Sequence, residues 1–245
     1  MWGSGNYAAV ADKISAVGEV AVERGGVEPG MDVLDVACGT GNATIPAART
    51  GARVTGLDFA PALLAIARER ASDAMVEVDW VEGDAGDMPF ADGSFDRVIS
   101  TFGHMFAPDH ARTASEMRRV CRQGGKIAVC CWTPEGKIGE MFRTMDEVNP
   151  PPPGAQSPLL WGTDDHVREL LGDAEFDRAE VDWRESSVEA YAQFMEESFG
   201  PLIAAREAVG ERVHEVYLEF LHRANEADDG TLRLRGEYLI AVVPV

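Results

Sequence analysis

Short apolar runs alternate with longer stretches of helical periodicity through the first half of the chain. Runs at 32–37, 53–58, 76–82, 95–100 and 125–132 read as buried strands, and segments 42–50, 61–72 and 110–122 space their apolar residues as helices do. Strand and helix in regular alternation predict parallel βα units, hence an α/β, doubly wound sheet. Ahead of it, residues 6–25 read as one amphipathic helix with Val10, Ile14, Val17, Val20 and Ala21 near one stripe, and Pro29-Gly30 turns the chain into the first strand. Beyond residue 132 the alternation breaks. Segment 133–162 carries four consecutive prolines, Pro150 to Pro153, around a helical stretch near 138–148. A helix over 164–171, a strand over 176–184, helices over 187–208 and 210–226 and a last strand from Tyr238 to Val243 follow.

The first strand runs straight into Asp35-Val36-Ala37-Cys38-Gly39-Thr40-Gly41. The carboxyl end of a strand in such a sheet is where ligand sites are built, and Gly39 and Gly41 permit a tight turn there. A dinucleotide fingerprint requires a third glycine three residues later, where Thr44 stands. Asp35 would also repel a pyrophosphate, so a ligand bearing an ammonium or sulfonium group suits the turn better. Three more strand ends carry acids or polar groups in order: Val54-Thr55-Gly56-Leu57-Asp58, Val81-Glu82-Gly83-Asp84-Ala85, and Phe95 to Phe102.

These four elements together resemble the motifs of the class I S-adenosylmethionine-dependent methyltransferases, with Ala37 in place of the first motif glycine. The resemblance covers roughly residues 30–132 and is closest to the small-molecule, ubiquinone/menaquinone-biosynthesis-like group. It implies a seven-stranded Rossmann-like sheet whose last strand inserts antiparallel between strands five and six, with helical lid insertions. It implies S-adenosylmethionine as cofactor, held by Asp35, Ala37, Gly39, Gly41 and Asn42 at the turn. Asp58 would accept the ribose hydroxyls with Phe59 along the adenine, Asp84 and Ala85 would take the adenine edge, and Ser100 and Phe102 would lie between cofactor and acceptor. One methyltransferase domain over 1–245 is expected: a helical cover at 1–28, a cofactor-binding core at 30–132, and an acceptor-side excursion and lid at 133–162 and 185–228. Trp2 and Tyr7 would line the covered site.

Composition narrows the partner. A net charge of −20 lacks the basic footprint that phosphate backbones require, which argues against nucleic acid and for a small-molecule acceptor. Cys38, Cys121, Cys130 and Cys131 show no C-x-x-C pairing and read as reduced thiols, no apolar stretch approaches membrane-spanning length, and a cytoplasmic protein is expected. No histidine and carboxylate cluster has metal spacing.

Methyl transfer needs alignment more than proton chemistry, because the sulfonium is an activated electrophile. Where the acceptor must lose a proton, His104 is the candidate base, following the fourth strand; His110, His166, His214 and His222 show no convergent spacing. Phe102, His104, Met105, Phe106, Trp132 and Trp161 are expected to wall an apolar acceptor pocket, with Phe194, Met195 and Phe199 closing it. The competing readings are an NAD-dependent oxidoreductase on a similar sheet and a regulator that binds S-adenosylmethionine without turnover.

Overall fold

The computed structural model describes residues 5–245, so Trp2 lies outside the described residues. Strands β1 (Asp32–Val36), β2 (Arg53–Asp58), β3 (Asp79–Glu82), β4 (Phe95–Thr101), β5 (Cys121–Trp132), β6 (Glu175–Glu185) and β7 (Leu232–Pro244) form one sheet in the order β3-β2-β1-β4-β5-β7-β6. The first five are parallel, and β7 runs antiparallel between β5 and β6. Strand order reverses between β1 and β4, which opens a crevice at their carboxyl ends.

Central strands are buried on both faces, and Ile127 to Trp132 accordingly form six buried residues in a row. Neighbouring positions feed different layers. Val33, Ile99 and Ala128 pack with Val22 of α2 (Ala16–Gly25), Ala47 of α3 (Thr44–Arg49) and Ala43 just before α3, whereas Leu34, Val98 and Ile127 join Met117 and Val120 of α5 (His110–Val120). Helix α4 (Pro61–Asp73) connects β2 to β3, with Pro61 fixing the helical φ of its first turn.

The single N-terminal helix expected over 6–25 is two. Helix α1 (Tyr7–Asp12) separates from α2 at Lys13–Ser15, and this break lets α1 turn across the carboxyl ends of the strands while α2 stays against β4 and β5. The helix expected over 187–208 also divides, into α8 (Val188–Ser198) and α9 (Gly200–Val209), because Pro201 cannot continue the hydrogen bonding of α8. Helices α6 (Lys137–Val148), α8, α9 and α10 (Arg212–Ala224) assemble the cover, with Tyr217, Phe220 and Leu221 of α10 fully buried at its centre; α7 (Asp164–Leu171) packs on α5 instead.

Candidate active site

The turn after β1 is shaped by backbone conformation before any ligand is considered. Ala37 and Gly39 both hold φ of 54°, in the left-handed region that glycine adopts freely and a β-carbon resists. A β-carbon at Gly39 would meet no protein atom within 4 Å; it would project into the cleft. Gly103, on the short 3₁₀ turn Gly103–Phe106 after β4, lies so near Ala37 that a β-carbon there would come within 2.4 Å of the Ala37 carbonyl oxygen. The two loops therefore close on each other as the floor of one cleft.

Asp58 closes a third side. Its Oδ2 accepts the Gly39 amide at 2.8 Å and its Oδ1 accepts the Ala60 amide at 2.8 Å. Burial raises its pKa, and those backbone bonds act in the opposite direction. Tyr7 on α1 is pushed up to about 12 by burial and then by the nearby Asp58 carboxylate. Asp84 turns the chain by accepting the Gly86 amide at 2.8 Å, and Phe59 leaves its ring 60% exposed at the mouth.

The cleft, of about 260 Å³, is lined by Ala37, Gly39, Asn42, Asp58, Phe59, Asp84, Ala85 and Phe102 from the predicted set. Tyr7 on α1 lines it as well, as expected, and Ala11, Thr40, Leu63, Thr101 and Pro108 join them. Among the described residues two carboxylates and no lysine or arginine line it, a charge pattern that favours a cationic ligand over a pyrophosphate.

Three predicted contacts do not reach this cleft. Asp35 is buried beneath the turn, where Oδ2 accepts the Thr44 hydroxyl at 2.6 Å and Oδ1 has no protein partner. Burial, with a smaller contribution from Asp58, raises its pKa to about 7. Gly41 faces Trp80 and Ile45 on the far side of the turn. Ser100 spends its hydroxyl on the Val36 carbonyl at 2.6 Å.

The expectation of a base at His104 is corrected by its position. The ring is fully buried and does not line the cleft. Because the Ser100 proton goes to Val36, Nδ1 of His104 donates to Ser100 Oγ at 2.9 Å, and Nε2 accepts from Cys131 Sγ at 3.3 Å. Burial and the neighbouring His110 lower its pKa to about 3, so it stays neutral. Nor do the histidines lack convergence: His110 Nδ1 and His166 Nε2 lie 3.0 Å apart, and the rings of His104, His110 and His166 surround the buried Trp161.

A second, narrower chamber of about 70 Å³ adjoins the cleft and shares Tyr7, Ile14, Phe102 and Phe106 with it. Trp132, Met195 and Phe199 line it as expected, whereas Met105 and Trp161 are buried in the core and Phe194 packs beside Tyr191. Its remaining walls come from Val10 and Lys13 at the N-terminal end, from α6 (Ile138, Met141, Phe142), from Trp183 on β6, and from Tyr191 on α8. Phe102 and Trp132 stack at 3.9 Å between centroids with their planes 7° apart.

A family profile described as methyltransferase domain matches residues 33–125, the segment that carries the turn, β2, β3 and β4. The chain is 39% identical over 222 residues to Rv1405c, an uncharacterised Mycobacterium tuberculosis protein, covering 86% of this chain and 80% of that protein. It is 47% identical over 175 residues to Rv1403c of the same organism, covering 71% of this chain but only 64% of the relative's length. The demethylmenaquinone methyltransferase of Renibacterium salmoninarum is 40% identical over 110 residues, 45% of each chain. The chain belongs to the class I S-adenosylmethionine-dependent methyltransferases. Its fold matches that of BH2331 from Bacillus halodurans C-125, with a TM-score of 0.67 at 20% identity over 94% of this chain and 100% of the other. The [4+2]-cyclase SpnF shares the fold as well, with a TM-score of 0.61 at 21% identity over 94% of this chain and 80% of the other. Fold alone therefore leaves the reaction open.

For a class I methyltransferase the residues present fit the family's cofactor, S-adenosylmethionine. Gly39 leaves a cradle that a side chain would fill, the cleft walls are acidic, and the Asp58 carboxylate retains acceptor capacity beyond its backbone bonds. Asp58 would hold the ribose, Asp84 and Ala85 the adenine edge, and the Gly39 turn the remainder. Arg70 of α4 is a further residue of the site that no motif marks. It donates to Thr40 Oγ1 at 2.8 Å and Asn42 Oδ1 at 3.3 Å and pairs with Asp12 at 2.9 Å, tying the glycine turn to the end of α1. Residues 138–148 read in sequence only as a helical stretch, and nothing there directs its apolar side chains to this chamber.

Proposed function

We propose that this chain transfers the methyl group of S-adenosylmethionine to a nucleophile of a small, partly apolar metabolite, with residues 133–162 and 185–228 as the acceptor-side lid. The observation that carries this reading is the pairing of an acid-walled cleft with an aromatic chamber across Tyr7, Ile14, Phe102 and Phe106. A binder without turnover has no need of the second compartment. Homology to a demethylmenaquinone methyltransferase over the cofactor half supports the transfer chemistry, and the chain's charge of −20 supports a small molecule over nucleic acid.

When bound, S-adenosylmethionine supplies a methyl group already activated on a sulfonium. The chain's own residues then bind and exclude water. Asp58 and Asp84 anchor the polar end of the cleft, while the stacked Phe102 and Trp132 keep the junction apolar. Among the described residues no histidine, aspartate or glutamate lines the chamber, and burial holds its phenols, Tyr7 and Tyr191, protonated, so an acceptor that is already nucleophilic suits it best.

The test is transfer of label from methyl-tritiated S-adenosylmethionine into fractionated extracts of small metabolites. Label should appear in an organic-extractable product and vanish with Asp58→Ala. Absence of label from every fraction, with S-adenosylhomocysteine binding intact, would favour the non-catalytic reading.

A further inference from the structure

The methionine end of S-adenosylmethionine carries a carboxylate as well as its ammonium. The acidic walls of the cleft suit the ammonium and the sulfonium, but among the described residues the lining offers no cation to the carboxylate. Arg70 stands directly behind that lining. Its Nη1 donates to Thr40 Oγ1 at 2.8 Å and to Asn42 Oδ1 at 3.3 Å, and both of those residues line the cleft.

Topology places Thr40 at one end of the cleft. Along the order β3-β2-β1-β4, Asp84 and Ala85 follow β3, Asp58 ends β2, and Thr40 follows β1. A ligand with its adenine at Asp84 and its ribose at Asp58 therefore brings its amino-acid end over Thr40. Asn42 spends its side chain within the protein, because Nδ2 donates to the Ala11 carbonyl at 2.7 Å while Oδ1 accepts from Arg70. Thr40 does not. Its buried hydroxyl has Arg70 as its one side-chain partner among the described residues, and with the oxygen engaged as acceptor the proton is left to donate. A guanidinium on the oxygen polarises that O–H toward an anion.

We propose that Arg70 is a positioning residue for the carboxylate of S-adenosylmethionine, acting through the hydroxyl of Thr40. The proposal rests on the reading of this cleft as the S-adenosylmethionine site with Asp58 on the ribose. The competing role for Arg70 is a latch on α1 through its 2.9 Å pair with Asp12. Asp12 is 64% exposed, so solvent screens that pair. The end of α1 also keeps two other ties, the Asn42 bond to Ala11 and the ion pair of Lys13 with Glu185 of β6.

The experiment is calorimetry of the full chain with S-adenosylmethionine and with its decarboxylated form, which keeps the sulfonium and the amine. Arg70→Met should weaken S-adenosylmethionine about tenfold, as expected for one charge-assisted hydrogen bond, and leave the decarboxylated ligand within about twofold. Thr40→Val should weaken S-adenosylmethionine to the same extent, and the double variant no further. Arg70→Lys keeps the charge without the planar fork and should recover part of the loss. Asp12→Asn should leave the ratio of the two affinities as in the wild type. Thermal melts show which variants are folded, and Thr40→Val reads the same ratio should Arg70→Met not fold. Equal weakening of both ligands in Arg70→Met, or of neither, would overturn the proposal, as would losses in Arg70→Met and Thr40→Val that add in full. Asp12→Asn reproducing the loss would reduce Arg70 to the latch. A wild-type chain that bound neither ligand, or a folded Asp58→Ala that bound both unchanged, would instead bring down the reading of the cleft, and this assignment with it.

Discussion

The amide of Gly39 donates to Oδ2 of Asp58 across 2.8 Å, fastening the turn after β1 to the carboxyl end of β2. One carboxylate thus both builds the cleft and faces into it. Asp58→Ala should lower affinity for S-adenosylhomocysteine roughly tenfold to a hundredfold, since charge-assisted hydrogen bonds contribute about 1.5–3 kcal/mol each. It also strips acceptors from the Gly39 and Ala60 amides, so the melting temperature should fall. Asp58→Asn keeps one acceptor oxygen and should lose less of both. Calorimetry and a thermal melt on the two variants check this; unchanged binding in folded Asp58→Ala would remove the ribose assignment.

The two left-handed residues of the turn should respond oppositely. Ala37→Gly relieves a strained β-carbon and should stabilise the fold by about 1 kcal/mol with cofactor affinity retained. A β-carbon at Gly39 meets no protein atom within 4 Å, so Gly39→Val should still fold, with strain, and lose cofactor binding. Denaturant titrations beside calorimetry separate the two effects. Full binding by Gly39→Val would contradict the placement of the turn.

Asp35 makes stability depend on pH in a direction unusual for a carboxylate. The unfolded chain releases this proton near pH 4 and the folded chain keeps it to about pH 7, so stability falls as pH rises across that interval. The difference of about three units is worth about 4 kcal/mol above pH 7. Asp35→Asn should therefore be the more stable protein at pH 8 and lose this slope, as urea titrations at pH 5 and pH 8 would reveal. A cationic ligand favours the ionised form, so affinity for S-adenosylmethionine should rise from pH 6 to pH 8 in the wild type and stay flat in Asp35→Asn.

His104 should matter to folding and not to proton transfer. Its folded pKa of about 3 lies below the ordinary value, so its contribution is present above about pH 6.5 and is lost as pH falls toward 3. His104→Ala leaves a cavity against Trp161 and strands the Cys131 thiol, at a cost of about 2–4 kcal/mol. Single-turnover rates between pH 6 and pH 8 should keep the wild-type profile. A hundredfold loss confined to the chemical step would reinstate a base.

The parallel half of the fold was legible because βα alternation and strand-end motifs are local signals, and β1, β2 and β4 fall within a residue or so of the apolar runs that predict them. Segment boundaries were less legible where a break depends on what packs above: Lys13–Ser15 interrupts a continuous amphipathic stripe only because α1 turns over the cleft. Site residues divide similarly. Asp58 and Asp84 carry their strand-end position in sequence, but whether Asp35, Ser100 or His104 points into the cleft or beneath it is decided by rotamer and burial, which one sequence does not encode. Lys13 and Arg70 are surface-like residues in periodicity, and their placement follows from tertiary contacts alone.

The central claim is that the cleft over Gly39 and Asp58 is a site for S-adenosylmethionine. Isothermal calorimetry of the full chain at pH 7.5, comparing S-adenosylmethionine and S-adenosylhomocysteine with NAD, tests it most directly. Both sulfur ligands should bind one-to-one and be lost together in Gly39→Val, and NAD, whose pyrophosphate meets an acidic wall, should give no heat. Saturable NAD binding that Gly39→Val abolishes, with neither sulfur ligand binding, would contradict it.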